Sequence, residues 1–201
     1  IKLKRLDPSY KVFFNDEKID VPADYKSLKE LLETMEEGSG NKLDEFLSQA
    51  EKKYKVGIKN LVYKPGLSVF EFIDRDTISG IFKLDVFKSM YSHIRKYFQN
   101  EKIIKLLEFP VLFLGATPKN TPALYSMMNY ADIKLGTWYP EGGMYQLVDA
   151  MVKLAKENGV KFYSGEDVRK FSYVDKRVSH VITSKKTFDV DYVVCSGDYH
   201  H

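Results

Sequence analysis

Gly136-Thr137-Trp138-Tyr139-Pro140-Glu141-Gly142-Gly143-Met144 runs directly into an amphipathic helix, and no other stretch of this 201-residue chain is as informative. Paired glycines between an aromatic strand and a helix start let the backbone approach another group closely, because neither carries a Cβ and both reach positive φ. The pattern points to a bulky ligand over a helix N-terminus. An isolated Gly-Gly pair reads as turn punctuation, and it is the sequence after it that favours the ligand. Met144, Leu147, Val148, Met151, Leu154 and Ala155 share one helical face, and Asn158-Gly159 is a stop signal.

Downstream, short strands are predicted at Val160 to Tyr163, Val168 to Val174, Arg177 to Thr183 and Thr187 to Val194, with turns at Asp175-Lys176 and Ser184-Lys185-Lys186. A meander feeding an apolar strand that ends in Ser196-Gly197-Asp198 is the layout of the later half of a dinucleotide-binding domain. The glycine-rich phosphate turn of the earlier half is not here: no Gly-x-Gly-x-x-Gly occurs in the 201 residues. Together with a start at Ile1 in mid-alternation, this carries the expectation that the chain is a piece of something longer.

Upstream, Leu3 to Leu6, Tyr10 to Phe14 and Lys18 to Val21 read as strands, the last two as a hairpin across Asn15-Asp16-Glu17. Leu28, Leu31, Leu32 and Met35 define a helix stopped by Gly38-Ser39-Gly40, and a second from Asn41 carries Leu43, Phe46, Leu47, Ala50 and Tyr54, its lysines and glutamates forming a solvated face. From Asp85, Val86, Met90, Ile94 and Tyr97 make a stripe that Phe87, Tyr91 and Phe98 widen, and so wide an aromatic face needs a covering layer or an apolar ligand. A helix from Glu101 to Leu107 meets Phe109-Pro110, and Thr121-Pro122 reads as cap and first position of a helix from Ala123 to Tyr130. Residues 56 to 81 are ambiguous, with a turn at Pro65-Gly66, and Met127-Met128 reads as core filler.

Composition excludes several classes. With 31 basic and 28 acidic residues interspersed, the surface is too balanced for a dedicated nucleic-acid binder. One cysteine, Cys195, excludes a disulfide framework and a multi-cysteine metal site; its place in an apolar strand predicts a buried, inert thiol. No apolar run is long enough to span a bilayer, and a cytoplasmic location follows as the expectation. His93 reads as a surface or satisfied histidine, and His180 has no acidic neighbour in sequence to form a dyad. Two adjacent histidines, His200 and His201, do not readily face one ion, so no metal site is expected. Acidic pairs such as Glu36-Glu37 and Asp74/Asp76 have solvated-surface explanations, and no catalytic residue is assigned.

Trp138-Tyr139-Pro140-Glu141-Gly142-Gly143-Met144, the helix through Ala155, Gly159-Val160, Gly165-Glu166-Asp167-Val168 and Asp191-Tyr192-Val193-Val194 ending in Gly197-Asp198 resemble the phytoene desaturases, FAD-dependent carotenoid desaturases related to the amine oxidases. The residues from Leu114 onward carry the specific likeness, and the earlier helices resemble that family's substrate and lid region in layout. The resemblance implies an α+β / α/β fold: a mixed sheet with a helical lid region plus an incomplete FAD-binding (glutathione-reductase-like) Rossmann half. It divides the chain into a substrate-binding domain with lid, 1–135, and a partial FAD-binding domain, 136–201. It implies removal of hydrogen from a long hydrophobic polyene in carotenoid biosynthesis, with FAD taking the electrons in the full-length parent and no FAD held by this piece alone. Trp138, Pro140, Gly142, Gly143 and Met144 then face the cofactor and substrate channel, Val168 contacts the adenine end of FAD through its main chain, and Gly197-Asp198 lie near the cofactor. Alternatives are another amine-oxidase-like flavoprotein of retinol saturase or porphyrinogen oxidase type, and a non-catalytic lipid-binding module. A polyene enters from lipid, so Tyr91, Tyr97, Phe98, Phe109, Leu112 and Phe113 are expected either to dock peripherally on the cytoplasmic membrane or to pack as core. Unpaired strand edges near Val160 and Val193 carry the expectation of a homo-oligomer.

Overall fold

Asp24 starts the first helix by accepting a hydrogen bond from the Ser27 amide at 2.8 Å, and the leucines that follow at helical spacing dictate which face turns inward. In the computed structural model, residues 1–58 and 88–198 are described, and the chain divides into two units, Ile1–Leu147 and Val148–His201. The expectations for Val86 and Phe87, for Pro65-Gly66, Asp74 and Asp76, and for His200 and His201 lie outside the described residues.

In the first unit, strand β1 (Leu3–Arg5) pairs antiparallel with β4 (Trp138–Pro140), and β2 (Tyr10–Phe13) forms a hairpin with β3 (Lys18–Val21). Alternation governs β3: Ile19 and Val21 are buried while Lys18 and Asp20 face solvent. Helix α1 (Tyr25–Met35) buries Leu28 and Leu32, and α2 (Ser39–Val56) buries Leu43, Phe46, Leu47 and Ala50. The glycines between them open α2 two residues earlier than expected, because the Glu33 carboxylate accepts from the amides of Gly38 and Gly40 at 2.6 and 2.9 Å. Short α3 (Met90–Ile94) and α4 (Glu101–Glu108) complete the layer, α4 capped by Asn100, whose side chain accepts from the Lys102 amide at 2.9 Å.

Phe46 is the hub of this core. Its ring lies 6.3 Å from that of Phe98 and 5.6 Å from those of Tyr97 and His93, so Tyr97 and Phe98 are committed to packing and not to a docking face. His93 is buried. So is Lys53, only 2 % exposed, although its helix had been assigned a solvated lysine face. The α2 register turns Lys53 inward, where its Nζ donates to the Ala123 carbonyl at 3.2 Å and to Ser126 Oγ at 3.3 Å and lies 3.4 Å from His93 Nε2. A buried amine is tolerated because its donors are met.

Beyond α4 the chain tightens into a 3₁₀ turn, Phe109–Leu114, ended by Gly115 at φ +63°. Residues 123 to 135 are helical at three pitches: 3₁₀ over Ala123–Ser126, α5 over Met127–Tyr130 and π over Ala131–Leu135. Thr121 does not cap this segment; its hydroxyl donates to the Thr117 carbonyl at 2.9 Å.

Helix α6 (Tyr145–Glu157) begins at the end of the first unit and continues into the second, where β5 (Val168–Val174), β6 (Arg177–Thr183) and β7 (Thr187–Asp189) form an antiparallel sheet in that order. Asp175 and Lys176, both at positive φ, make the predicted two-residue turn between β5 and β6. Two expectations fail here. Val160 to Tyr163 forms no strand, and the last strand stops at Asp189 instead of reaching Val194. A strand needs a neighbour to take up its backbone groups, and neither segment is laddered to one: Tyr163 meets β7 through its ring, 4.9 Å from that of Phe188, and Val190 N donates to the Ser179 carbonyl at 3.0 Å, after which no ladder continues. Cys195 is consequently exposed, not a buried strand residue. The architecture is thus a mixed α and β one with small sheets.

Glu36 ties α1 to the segment before α4. Its carboxylate accepts from Lys42 Nζ at 2.6 Å and from the amides of Gln99 and Asn100 at 2.8 Å each. Burial alone would raise its pKa, but these donors together hold it below the ordinary glutamate value. A folded-state pKa below the unfolded one contributes stability that is complete above the unfolded value and is lost as pH falls through the folded one. Urea unfolding of Glu36→Gln is therefore expected to show a deficit near neutral pH that shrinks below about pH 4.5; a deficit independent of pH would contradict this account.

Candidate functional site

Three residues at the start of the chain hold the turn that the sequence singled out. Leu3, Lys4 and Arg5 pair with Pro140, Tyr139 and Trp138, and the ladder is extended by Glu141 N to Lys2 O and Leu6 N to Thr137 O, both 3.0 Å. The chain then reverses: Gly143 N donates to the Pro140 carbonyl at 3.0 Å, closing a four-residue turn with Gly142 at φ +88° in its third position. Positive φ there is what a type II turn demands and glycine supplies. Gly143 follows at φ +95° and leads into α6. A Cβ at Gly142 would meet the Gln146 side chain at 3.3 Å, whereas one at Gly143 would meet nothing within 4 Å. The backbone at Gly143 is thus open to the approach of a flat group. Pro140 is buried, while Trp138 and Met144 are about half exposed. The indole Nε1 of Trp138 donates to the Leu135 carbonyl at 2.8 Å.

Arg5 and Gly136 set the approach to this turn. Gly136 sits at φ +88°, and a Cβ on it would lie 2.8 Å from Arg5 Cζ. The guanidinium fills that space, lies 5.9 Å from the centre of the Trp138 ring and donates through Nη2 to the Ala23 carbonyl at 2.8 Å. One side chain therefore joins β1, β4 and the entrance to α1.

Beside Gly136 and Thr137 opens a cavity of about 510 Å³. Tyr10, Phe109, Pro110, Phe113, Met128 and Ala131 form apolar walls, and Ser9, Asp132 and Thr137 supply polar atoms. Tyr10 and Phe109 stack at 5.6 Å. Met128, expected as core filler, is a wall of this cavity. Its volume lies within the ordinary range for small-molecule sites.

In the second unit, Val168 opens β5 opposite Thr183, and Gly197 and Asp198 are exposed beyond the last strand. A hollow of about 730 Å³ in this unit is lined by the end of β5, by β6, by the end of β7 and by the segment after it, among them Arg177, Asp189 and Tyr192, and by none of those three. His180 does have an acidic partner, contrary to expectation. Cross-strand pairing puts Asp189 Oδ1 3.1 Å from its Nε2, with Ser179 Oγ 2.8 Å from its Nδ1. The pair is largely solvent-exposed on the sheet, which makes it a surface contact. No metal-binding cluster occurs among the described residues.

Residues 2–201 match the family described as flavin containing amine oxidoreductase. The chain belongs to that family. It is 33% identical over 201 residues to a carotenoid 3,4-desaturase of Haloarcula japonica, covering 99% of this chain and 41% of that protein. Against a zeta-carotene-forming phytoene desaturase of Myxococcus xanthus it is 27% identical over 200 residues, 98% of this chain and 39% of the relative. Against the phytoene desaturase of Phycomyces blakesleeanus the figures are 28%, 98% and 35%. The chain thus spans about two-fifths of the length of these relatives.

In this flavin amine oxidoreductase chain, Arg5, Tyr10 and Asp132 went unnoticed in the sequence reading. Only glycine at 136 carried any local signal of them. Gly136→Ala puts a methyl group into the Arg5 guanidinium on a backbone that an L-residue rarely adopts, and a loss of more than about 1 kcal/mol is expected. Denaturant unfolding measures it, and Arg5→Ala in the same background, by vacating the space, is expected to recover the steric part of the loss.

Proposed function

We propose that this family member serves in an FAD-dependent desaturase that removes hydrogen from a long hydrophobic polyene of the carotenoid kind. The observation that carries the reading is an apolar cavity at Gly136 and Thr137, on the segment that leads into the turn with the open backbone at Gly143, in a chain similar over nearly its whole length to carotenoid desaturases. Residues 1–135 make up the substrate-binding part with its helical lid and 136–201 part of an FAD-binding, Rossmann-type domain. Trp138, Pro140, Gly142, Gly143 and Met144 face the cofactor and substrate; Val168 contacts the adenine end through its main chain, and Gly197 and Asp198 lie near the cofactor.

The residues present fit part of such a group. Gly143 leaves room for a flat ring against the main chain, and its amide is already committed to Pro140. The glycine fingerprint that would cradle a pyrophosphate is not in these residues. Bound FAD supplies the two-electron acceptor of the desaturation. The work left to this chain is to hold an apolar substrate in register and keep water out. Titratable groups are accordingly sparse around the turn, where Glu141 is exposed and 3.9 Å from Lys2.

The whole protein, purified, is expected to show visible flavin absorbance, and the 201 residues alone to retain none. Gly143→Val in the whole protein is expected to lower turnover at least tenfold with circular dichroism preserved. Retained turnover with only a lowered melting temperature would reduce Gly143 to a turn residue.

Peripheral contact with a bilayer belongs to the same reading. No described helix is long and apolar enough to cross a membrane. Leu112 and Phe113 are 65% and 75% exposed, Phe13 is 75% exposed, and Phe13 and Leu112 border one hollow together with Lys105. Glu108 borders the same hollow, so it is the exposed apolar tip that suits a lipid surface. Co-sedimentation of the whole protein with anionic liposomes is expected to fall severalfold for Leu112→Ser/Phe113→Ser; unchanged binding would remove these residues from any docking role.

A further inference from the structure

The cavity beside Gly136 has walls of one character and a floor of another. Aromatic and aliphatic side chains from Tyr10, Phe109, Phe113 and Met128 enclose it, and Asp132 brings a half-buried carboxylate to its lining. Asp132 Oδ1 accepts from Thr137 Oγ1 at 2.8 Å, and the Tyr10 side chain lies near the same carboxylate. A carboxylate offers about four acceptor positions, so acceptor capacity is left open here. No described ion pair involves Asp132, and two basic residues of the same unit are engaged elsewhere: Lys134 Nζ lies 3.1 Å from the centre of the Tyr25 ring, and the Arg5 guanidinium donates to Ala23 and packs on Gly136. Burial and the facing carboxylate raise the pKa of Tyr10, which keeps its hydroxyl a neutral donor that does not repel Asp132.

We propose that this cavity takes the end of an elongated apolar molecule bearing a hydroxyl group, which donates to the Asp132 carboxylate. A plain hydrocarbon fills the walls but brings the carboxylate no donor. An alkylammonium must shed a far larger hydration shell to enter between apolar walls than a hydroxyl does. The inference goes beyond the desaturase reading and does not depend on it, because it concerns binding and not turnover.

The test is equilibrium dialysis of the whole protein against farnesol, farnesene and farnesylamine, which share a C15 chain and differ at its end. Farnesol is expected to bind about tenfold more tightly than farnesene, the discrimination typical of a hydrogen bond to a charged acceptor, and more tightly than farnesylamine. In Asp132→Leu the preference for farnesol over farnesene is expected to vanish. Should that variant fail to fold, the near-isosteric Asp132→Asn decides, with the preference falling at least threefold while circular dichroism is unchanged. Equal binding of farnesol and farnesene by the unaltered protein, a preference that survives in the folded variant, or tighter binding of the amine would overturn the proposal. Because none of these measurements involves the flavin, they separate a failure of this inference from a failure of the desaturase reading.

Discussion

The pairing of Leu3, Lys4 and Arg5 with Pro140, Tyr139 and Trp138 is the constraint on which the candidate site depends. It joins the beginning of the chain to a segment far along it, and Arg5 locks the junction by filling the space that a side chain on Gly136 would occupy. The same guanidinium reaches Ala23 at the entrance to α1, so the strand pair is tied to the helical layer. The Pro140-to-Gly143 turn, with two successive glycines at positive φ, is therefore presented from a braced ladder and not from a free loop. A site on such a support holds its geometry better than one on an unsupported loop.

Behind the ladder, the helical core is apolar where it is crowded, and its buried amine is supplied with partners. Phe46 and its aromatic neighbours occupy the centre, and the buried Lys53 amine reaches across to the 123–126 turn. Glu36 gathers one lysine and two amides at the edge of the same layer. The contacts to Gln99, Asn100, Ala123 and Ser126 join elements distant in sequence. They specify which elements meet, whereas hydrophobic burial, being non-directional, supplies most of the driving force.

Membership in the flavin containing amine oxidoreductases gives these features a common sense. In flavin chemistry the cofactor carries the reaction and the protein contributes orientation, shape and exclusion of water. A chain with an open glycine backbone, a largely apolar cavity and few acid–base groups nearby suits that division of labour. The carotenoid desaturases it resembles are more than twice its length, and the second unit exposes the apolar residues of α6 and of the segments at 160–163 and 192–194. Surface of that kind on a folded unit is usually covered by a partner or by more of the same protein.

Local chemistry was legible without coordinates. Helical spacing of Leu28, Leu32, Leu43 and Leu47 marked α1 and α2, Asn158-Gly159 marked the end of α6, and Gly142-Gly143 marked the turn at positive φ, because each signal lies within a few residues of its effect. The turn motif and the segments after it were also enough to name the family. What only the tertiary structure decided was partnership. Nothing near Arg5 announces Gly136, nothing near Tyr10 announces Asp132, and nothing near His180 announces that register would bring Asp189 to it. Val160 to Tyr163 and the residues after Asp189 have the composition of strands, yet no described strand pairs with them in a ladder and they form none. Composition sets what a segment prefers to bury, but backbone pairing and side-chain contact are settled by whichever distant element arrives alongside.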